Sequence, residues 1–560
     1  MNTETNEPSL LLFVSPLIIY APSGSFTRKM VHFCCFLIQP AAMRTEQTRL
    51  TPVGIDDMAA YIPKIYLPIA TLAEERNLEY AKLNKGLGLE AMAVADAHED
   101  VATMAANAVL ELMEKNRLRP QEVGRIYMGT ESSVDGSKPM ATYVLEMLTQ
   151  YYEALYGPDC FLNCDVVDLT FACIGAVDAL QNTLDWVKGG ENRIGIVVGS
   201  DNAKYELGSG GEYTQGAGSI ALLVKQNPRL ISIGDAWGVA TRPVHDFFKP
   251  LRIATKESLL HEALKLAGKG SQAAREALSR LAEMPPNGGV LTSSEANIML
   301  HKETPVFDGP YSNACYQERI REALTHFAPQ AGYDVQAEAI SGNWDKMAFH
   351  LPYAFQARRM FPEVYLMEAK ATGKWASWAK EYGLEEPARE NFGDEAAFEK
   401  AHGQFLRAIS KTDAYQVFVQ EKIAAGERAS SLVGNLYTSS IFLSLMSILE
   451  TALEGGEELQ GRRFGFFAYG SGSKSKVFEG ELQAGWKEAT RQFRLMERLD
   501  RRTAIDYYTY EQLHRGQAAE SALPVQNEFF LKEICHEKGV LEGARTYARA
   551  TEAAVLEPGA

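Results

Sequence analysis

The chain has 560 residues, of which 46% are hydrophobic and 23% are charged, and its formal net charge is −16. This is ordinary globular composition, and the length exceeds what one core usually supports, so we expect two or more domains or one large duplicated domain. The acidic charge argues against binding to nucleic acid or to anionic membranes. The seven cysteines are an odd and sparse set, which fits a reducing cytosol better than a disulfide framework.

The first 42 residues differ in character from the rest of the chain. Residues 10–20 form an apolar run that is too short to span a bilayer. Glu4 and Glu7 precede any lysine or arginine, whereas a signal peptide begins with a basic segment. We therefore expect residues 1–42 to be a disordered or misassigned extension, with a processed targeting segment as the alternative, and the working protein to begin near Met43.

From residue 51 onward, helical and strand patterns alternate. Residues 100–117 predict a long amphipathic helix, and residues 125–129 predict a short buried strand that ends near Glu131. Residues 193–198 and 219–224 are continuous apolar runs of the kind found in central parallel strands. The chain is therefore predicted to be α/β.

Cys173 stands at the start of the next predicted helix. Ile174, Val177 and Leu180 recur at helical spacing after it, so we place the cysteine in the first helical turn. The helix dipole and the free N–H groups at that position would lower the pKa of the thiol and favour a nucleophilic thiolate. A buried free cysteine is also a common core residue, so position alone does not decide between the two.

The second half of the chain repeats the alternation. Residues 346–349 predict a strand that ends at His350, residues 432–453 predict a long apolar helix, and residues 463–469 predict a strand that enters Gly470-Ser-Gly472. A glycine pair with a serine also stands just before the strand at residue 219, which indicates an internal duplication. Two charged helical stretches, residues 254–284 and 369–428, are typical of solvated surface insertions.

Glu131, Cys173 and His350 all lie at predicted strand ends. In open α/β sheets the carboxyl ends of strands are where ligands bind. A carboxylate beside a buried strand has a raised pKa if it is desolvated, which suits a general base. Pro352 restricts the chain after His350 and would hold the imidazole at a rigid corner. Each residue taken alone also fits a cap, core or turn role.

Taken together, the motifs resemble those of the hydroxymethylglutaryl-CoA synthase family, within the thiolase superfamily, and most closely its bacterial members. They occur in the family's order over roughly residues 51–515. The matching segments are Gly129-Thr-Glu-Ser-Ser133, Ala172-Cys-Ile-Gly-Ala176, Ser200-Asp-Asn-Ala-Lys-Tyr205, Gly210-Gly-Glu-Tyr-Thr-Gln-Gly-Ala-Gly218, Asp308-Gly-Pro-Tyr-Ser-Asn313, Ala348-Phe-His-Leu-Pro-Tyr353, Val433-Gly-Asn-Leu-Tyr-Thr438 and Tyr469-Gly-Ser-Gly472.

The resemblance implies a thiolase-like α/β fold, with two duplicated halves in five layers, αβαβα, and helical insertions. The first half would span residues 43–225 and carry Glu131 and Cys173. The second would span residues 226–515 and carry His350 and Asn435, with insertions near residues 251–303 and 369–428. Residues 516–560 would form a C-terminal helical tail.

The resemblance also implies an acyltransferase that condenses acetyl-CoA with acetoacetyl-CoA to give 3-hydroxy-3-methylglutaryl-CoA, in the mevalonate route. Cys173 would carry the acetyl group, and Glu131 would remove a methyl proton from it. His350 would donate a hydrogen bond to the acetoacetyl group. Water would then release the product from Cys173. Such chemistry requires a thiolate, a base with a pKa near neutrality and fixed donors for an oxyanion.

The same resemblance implies further site residues and an assembly. The substrate-binding residues would be Asp201, Thr214, Tyr353, Asn435 and Ser471, with Arg358 and Arg359 as candidates for the CoA phosphates. No metal and no cofactor are expected, because the CoA thioesters are substrates. The enzyme would be a cytoplasmic homodimer.

One residue departs from the family pattern, and two other functions stay open. Ile174 is next to the nucleophile where the family usually has an aromatic residue, which bears on closure around the substrate. A close alternative is a β-branching synthase that acts on groups held by an acyl carrier protein, which the acidic charge disfavours. A non-catalytic acyl-CoA-binding protein of the same fold is the third interpretation, and the joint presence of Glu131, Cys173 and His350 argues against it.

Overall fold

The computed structural model describes residues 51–285, 291–293, 295 and 297–551. The predicted extension, residues 1–42, lies outside these residues. The described residues belong to one unit that starts at Thr51. No helix among them has an apolar stretch that is long enough to cross a membrane.

The part of the chain up to residue 226 contains the strands and helices of the first predicted half. These are β1 (Val53–Tyr61), β2 (Ile65–Pro68), α1 (Ile69–Glu75), α2 (Tyr80–Leu87), β3 (Ala91–Val94), α3 (Val101–Lys115), β4 (Val123–Gly129), α4 (Met140–Tyr156), β5 (Asp165–Leu169), α5 (Gly175–Lys188), β6 (Ile194–Ala203) and β7 (Gly216–Gln226). The predicted helix at residues 100–117 corresponds to α3, and Asp100 caps its N-terminus by accepting from Thr103 N.

The rest of the chain adds the second set of elements. These are β8 (Ile231–Thr241), β9 (Phe247–Phe248), β10 (Arg252–Thr255), α6 (Lys256–Leu266), α7 (Ser271–Glu283), β11 (Asn297–Leu300), β12 (Val306–Phe307), α8 (Gly309–Ala331), β13 (Lys346–Phe349), α9 (Gln356–Met360), α10 (Pro362–Ala371), α11 (Trp375–Tyr382), α12 (Glu395–Ile409), α13 (Asp413–Lys422), α14 (Ala424–Val433), α15 (Ser440–Glu454), β14 (Arg463–Gly470), β15 (Lys474–Leu482), α16 (Trp486–Arg491), α17 (Leu495–Asp500), β16 (Thr503–Ala504), α18 (Tyr507–His514), β17 (Phe529–Ile534) and β18 (Arg545–Arg549).

Nine strands form the main sheet, in the order β13-β14-β15-β8-β1-β7-β6-β4-β5. From β1 outward the pairings are antiparallel to β7, antiparallel to β6 and parallel to β4. From β8 outward they are antiparallel to β15, antiparallel to β14 and parallel to β13. The two series are the same, so the strand pattern repeats as the glycine motifs indicated. The exact boundary at residue 225 stays a prediction.

The helices lie in layers around these strands. α3 and α4 bury their apolar faces in a core with β4 and β6 of the first series. α5 and α15 share a central core that also includes β1 and β14, and α8 packs in a third core with β13 and part of β14. The arrangement is the predicted thiolase-like α/β fold in five layers, and it buries Cys173 and His350 near one another in its centre.

Two local predictions in this fold are wrong. β7 runs antiparallel to β6, because residues 204–215 between them form turns and one short 3-10 helix (Glu212–Thr214) and include no α-helix that could serve as a crossover. The apolar helix at residues 432–453 is interrupted, since α14 ends at Val433 and α15 begins at Ser440. Gly434 has a φ of +84°, which lies outside the helical region, and a Cβ there would lie 1.9 Å from Gln215 O, so the position requires glycine.

The predicted helical tail at residues 516–560 is also wrong within the part that the structure describes. Residues 529–534 and 545–549 are the antiparallel strands β17 and β18. Phe529 and Tyr547 lie in the same core as α3 and α4. Aromatic residues fit a half-buried strand well, and their packing against these helices favours strands over a helix here. The first insertion is helical only in part, because β10 and β11 pair beside α6 and α7. The second contains α11, α12 and α13, with the first half of α14.

Candidate active site

Cys173 lies two residues before α5, in the turn that comes after β5. Ala172 has a φ of +40°, which L-residues rarely adopt and which recurs where a structure aims a functional side chain. The thiol is 9% exposed, and its Sγ donates to Oε1 of Glu131 at 3.0 Å. The predicted position inside the first helical turn is therefore wrong. The predicted low pKa is wrong as well, since burial and the Glu131 carboxylate hold the pKa of Cys173 well above its usual range.

Glu131 lies two residues beyond β4 and is fixed from both ends. Its N–H donates to Oδ1 of Asp201 at 2.9 Å, and its C=O accepts from Nζ of Lys249 at 3.1 Å. Burial raises the pKa of the carboxyl to about 7, although Lys249, with Nζ 3.9 Å from Oε2, opposes the rise. The raised pKa that the sequence suggested is confirmed. A carboxyl that titrates near neutrality can both accept and return a proton.

His350 comes directly after β13, at the predicted strand end. Its N–H donates to Phe467 O at 3.0 Å, and its C=O accepts from the Tyr316 hydroxyl at 2.6 Å. The side chain is buried, and this burial lowers the pKa of the imidazole to about 3. Nδ1 has no hydrogen-bond partner among the described residues. The ring is therefore neutral and rigidly placed, and it can donate a hydrogen bond from one nitrogen without carrying charge.

A cavity of about 310 Å³, here called the Cys173 cavity, brings most of the predicted site together. Of the residues predicted from the sequence, it is lined by Cys173, His350, Asn435, Ser471, Thr214, Tyr353 and Arg359. Aromatic side chains form much of the remaining wall, namely Tyr205, Tyr213, Phe247, Phe307, Tyr316, Tyr437 and Tyr469. A chamber with many aromatic side chains and a few convergent polar groups is a common form of a small-molecule site.

Asn435 is oriented by the break between α14 and α15. Its N–H donates to Thr214 O at 3.0 Å, and its Oδ1 accepts from Tyr437 N at 2.8 Å. The side-chain NH₂ group is therefore the part of Asn435 that is left for a ligand. The interruption of the predicted long helix thus places a donor in the wall of the Cys173 cavity.

Asp201 does not line the Cys173 cavity and does not act as a substrate-binding residue. Its carboxylate is fully buried and accepts five hydrogen bonds. The donors are Thr130 Oγ1, Glu131 N, Ser132 Oγ, Thr438 N and Thr438 Oγ1. Asp201 therefore ties the loop after β4 to the loop before α15, and it supports the site by holding the backbone of Glu131.

Arg358 and Arg359 are adjacent but have different surroundings. The guanidinium of Arg358 pairs with both oxygens of buried Glu427 and lies over the Phe355 ring. It is not available to a phosphate, so this candidate is wrong. Arg359 is exposed, lines the Cys173 cavity, and is held by one hydrogen bond to Gly86 O at 3.2 Å.

Ile174 lies away from the substrate side of Cys173. It is fully buried in the central core and is not among the described residues that line the Cys173 cavity. Phe247 and Tyr437 pack against Cys173 instead. Aromatic contact with the nucleophile is thus supplied from elsewhere in the chain, and the departure at Ile174 does not alter the wall of the cavity.

Lys249 and Asp246 were missed from the sequence. Lys249 contacts both the backbone and the carboxyl of Glu131. Asp246 is fully buried and accepts from the Tyr469 hydroxyl at 2.5 Å and from Gly472 N at 2.7 Å, so it fixes the turn that carries Ser471. The usable signal was the segment His245-Asp-Phe-Phe-Lys-Pro250, where an acid and a base flank two aromatic residues.

Comparison with protein families gives two matches in chain order. Residues 49–228 match the model described as hydroxymethylglutaryl-coenzyme A synthase N terminal, and residues 298–522 match its C-terminal counterpart. The unmatched residues 229–297 contain most of the first insertion. Together the two models cover more than half of the chain.

Curated relatives and solved structures agree with the family match. The hydroxymethylglutaryl-CoA synthase of Haloferax volcanii is 27% identical over 480 residues, which are 85% of this chain and 94% of the relative. The hydroxymethylglutaryl-CoA synthase of Enterococcus faecalis is 27% identical over 461 residues, which are 82% of this chain and 90% of the relative. The structure of MvaS in complex with 3-hydroxy-3-methylglutaryl coenzyme A is 26% identical, with a TM-score of 0.67, and covers 89% of this chain and 99% of that one.

Proposed function

The chain belongs to the hydroxymethylglutaryl-CoA synthase family, and we propose that it condenses acetyl-CoA with acetoacetyl-CoA through an acetyl group carried on Cys173. The product is 3-hydroxy-3-methylglutaryl-CoA, an intermediate of the mevalonate route. The observation that carries the proposal is the contact between the Cys173 thiol and the Glu131 carboxyl, 3.0 Å apart, beside a cavity that also contains His350 and Asn435.

Acetylation begins with proton transfer from Cys173 to Glu131. The thiol has a raised pKa, so a base must take its proton as the sulfur attacks the acetyl-CoA carbonyl. Glu131 has a pKa of about 7 and lies within hydrogen-bond distance. The C–S bond to CoA breaks, and the proton held by Glu131 passes to the leaving CoA thiolate. The carboxylate is then free again beside the acetyl thioester.

Condensation uses the same carboxylate a second time. Glu131 removes a methyl proton from the acetyl group, and the enolate carbon bonds to the ketone carbon of acetoacetyl-CoA. The alkoxide that forms takes up one proton, which balances the one removed. His350 is neutral and donates to the acetoacetyl oxygen where negative charge develops, and the NH₂ group of Asn435 is a second donor.

Arg359 and Tyr353 form the part of the Cys173 cavity that is suited to CoA. The Arg359 guanidinium lies 5.7 Å from the centre of the Tyr353 ring. It is exposed, which suits contact with a CoA phosphate at the entrance of the cavity. A cytoplasmic location and a homodimer stay predictions from composition and from the family resemblance.

The first experiment tracks the acetyl group. Incubation with labelled acetyl-CoA is expected to leave one label on Cys173, identified by peptide mass spectrometry. The Cys173→Ser variant is the control and should take up no label. Failure of the wild-type protein to acetylate, or equal acetylation of the Cys173→Ser variant, would overturn the mechanism.

The second experiment identifies the carrier of the acyl groups. Acetyl-CoA and acetoacetyl-CoA are expected to give 3-hydroxy-3-methylglutaryl-CoA when the products are analysed by chromatography and mass spectrometry. The same acyl groups attached to an acyl carrier protein should react much more slowly. Faster turnover of the carrier-bound groups would assign the chain to β-branching chemistry instead.

A further inference from the structure

A second cavity lies on the other side of Glu131. It has a volume of about 160 Å³, and its wall includes Glu131, Ser132, Ser133, Asn202, Lys249 and Leu531. We call it the Glu131 cavity. Its described lining does not include Cys173, and the described lining of the Cys173 cavity does not include Glu131. The nucleophile and the base thus face two different chambers.

The wall between the two chambers is thin and consists of the catalytic groups themselves. Oε1 of Glu131 lies 3.0 Å from Sγ of Cys173, whereas its Oε2 faces Nζ of Lys249 at 3.9 Å. The Lys249 ammonium lies 4.9 Å from the centre of the Tyr437 ring. Tyr437 belongs to the Cys173 cavity and Lys249 to the Glu131 cavity. The Glu131 carboxyl therefore contacts the sulfur on one side and an independent polar chamber on the other.

The last step of the proposed function is hydrolysis of the condensed acyl group from Cys173. This step needs water at a time when the substrate still occupies the Cys173 cavity. After condensation, the new acyl group is bound both to Cys173 and to the CoA of the acetoacetyl substrate. In the proposed function that CoA occupies the entrance of the Cys173 cavity, beside Arg359. Water must reach the thioester carbonyl on Cys173 while this arm is still in place, so a route through the same entrance is blocked.

We propose that the Glu131 cavity supplies the water that hydrolyses the condensed acyl group from Cys173. This inference rests on the proposed function and adds a separate route to it. A chamber of about 160 Å³ has room for several waters, since each occupies about 30 Å³ in the liquid. Ser133, Asn202, Lys249 and Glu131 give such waters the polar partners that a hydrated cavity requires.

The step balances without any further reactant. A water held by Glu131 attacks the thioester carbonyl carbon, and its proton passes to the Glu131 carboxylate. The bond between that carbon and Sγ of Cys173 breaks, which leaves a carboxylic acid on the product. The Cys173 thiolate regains a proton, and the acid loses one to solvent, so that Glu131 and Cys173 return to their starting states.

Filling the Glu131 cavity tests the proposal without touching the catalytic groups. Leu531→Trp and Val134→Phe add bulk from two different walls of the cavity. Lys532→Trp, at the adjacent exposed position in β17, is the matched control. Intact-protein mass spectrometry after rapid quenching measures the rates at which Cys173 gains acetyl and loses the condensed product.

The two filled variants should acetylate at the wild-type rate, which also shows that they are folded, and should release the condensed product about tenfold more slowly. The adduct should accumulate on Cys173. When acetoacetyl-CoA is absent, the CoA released by acetylation leaves the Cys173 cavity, and water can enter through its open entrance. Hydrolysis of the acetyl group from Cys173 should therefore stay near the wild-type rate in both filled variants. Lys532→Trp should match the wild type in all three rates.

Two results would overturn this route, and a third would remove the proposed function on which it rests. Release of the condensed product at the wild-type rate in both filled variants would overturn it. Equal slowing of acetyl and condensed-product hydrolysis would also overturn it, because that indicates general damage to Glu131. A wild-type protein that never acetylates Cys173 would instead remove the proposed function itself.

Discussion

At the scale of single residues, the chemistry depends on how Glu131 is charged. Burial favours its neutral form, and Lys249 favours its carboxylate, so the pKa of about 7 is a balance between the two. The same lysine lowers the pKa of Cys173 against the larger effect of burial. Because Glu131 must be ionised to remove a proton, condensation should become faster as the pH rises through 7.

Replacing Lys249 by Met should move this dependence to higher pH. Without the ammonium the pKa of Glu131 rises, by about one unit for a charge at this distance, so that only about a tenth of the carboxyl is ionised at about pH 7 instead of about half. Condensation at about pH 7 should fall about fivefold and should recover at about pH 9. The measurement is kcat/KM for acetoacetyl-CoA against pH at saturating acetyl-CoA.

The conservative variant separates charge from shape. Lys249→Arg keeps the positive charge and should keep the acid limb of the profile close to that of the wild type. A Lys249→Met profile that is lowered at every pH but not shifted would show that Lys249 acts only through packing, and the assigned electrostatic role would be abandoned.

The roles of nucleophile, base and oxyanion donor were predicted from the ordered series of motifs shared with the family, because each of the three residues alone also fits a cap, core or turn role. The sequence did not predict Lys249, which acts on Glu131 from 118 positions away. Nor could it separate Arg358 from Arg359. Adjacent residues on a helix point about 100° apart, and only the packing of α14 decides which of them meets Glu427.

At the scale of elements, the site depends on the close approach of α5 to β4. A Cβ on Gly129, the last residue of β4, would lie 2.1 Å from Ala176 N and 2.5 Å from Ala176 Cα. These neighbours are backbone atoms, so they cannot move aside as a flexible side chain would. The glycine lets the start of the helix rest directly on the strand, and this sets the distance from Cys173 to Glu131.

The Gly129→Ala variant should therefore lose both activity and stability. The start of α5 must shift by about an ångström or more, and such a displacement of catalytic groups can reduce the acetylation rate about a hundredfold. Overpacking of this kind costs about 1–3 kcal/mol in the free energy of unfolding. Acetylation by quenched mass spectrometry and chemical denaturation measure the two effects.

Gly136→Ala is the matched control, since a Cβ there meets no atom within 4 Å. It should acetylate and unfold like the wild type. If Gly129→Ala behaves like this control in both measurements, the contact between α5 and β4 is not what positions Cys173.

The sequence predicted most elements of the sheet, because apolar runs of strand length mark buried strands. It missed the direction of β7, which follows from the connection between Ala203 and Gly216 having no α-helix to serve as a crossover. It missed the break before α15, because residues 432–453 are largely apolar on both sides of Gly434, whose φ of +84° takes the chain out of the helix. The sequence also did not predict the β17–β18 hairpin, because the strands are stabilised by packing against α3 and α4, which are far away in the sequence.

At the scale of the whole molecule, a buried cluster ties the C-terminal segment to the first strand. The Tyr61 hydroxyl lies 2.5 Å from Oε1 of Glu99 and 2.7 Å from Oε2 of Glu528, and Lys64 donates to Glu528 at 2.6 Å. His98 lies beside Glu528, with Nε2 at 3.6 Å from Oε1. A hydroxyl has one proton to donate, so two short contacts to carboxyl oxygens require that one carboxyl is protonated.

The pKa values assign the proton to Glu99. Burial raises the pKa of Glu99 to about 7, although His98 and the Tyr61 hydroxyl oppose it. Burial alone would also raise the pKa of Glu528, but His98 and Lys64 lower it to about 2. Glu99 thus donates to Tyr61, which donates to the Glu528 carboxylate. Because Glu99 and Glu528 are far apart in sequence, this chain of hydrogen bonds holds the start of β17 against the end of β1.

The two carboxyls should therefore affect stability in opposite ways as the pH changes. Glu528 has a lower pKa folded than unfolded, where it is about 4.3, so its contribution is complete above that pH and constant from about pH 5 to 8. Glu528→Gln should reduce the free energy of unfolding by about 1–3 kcal/mol across this range, the usual loss for a hydrogen bond to a charged group.

Glu99 has a higher pKa folded than unfolded, so the folded protein binds more protons, and its stability falls as the pH rises from about 4.3 towards 7. Glu99→Gln removes this loss and keeps a neutral donor for Tyr61. The difference in free energy of unfolding between the Glu99→Gln variant and the wild type should therefore be about 1–3 kcal/mol more favourable to the variant at about pH 8 than at about pH 5. Urea denaturation at both pH values measures the difference. A difference that is the same at both pH values would show that Glu99 is ionised throughout, and Glu528 would then have to carry the shared proton.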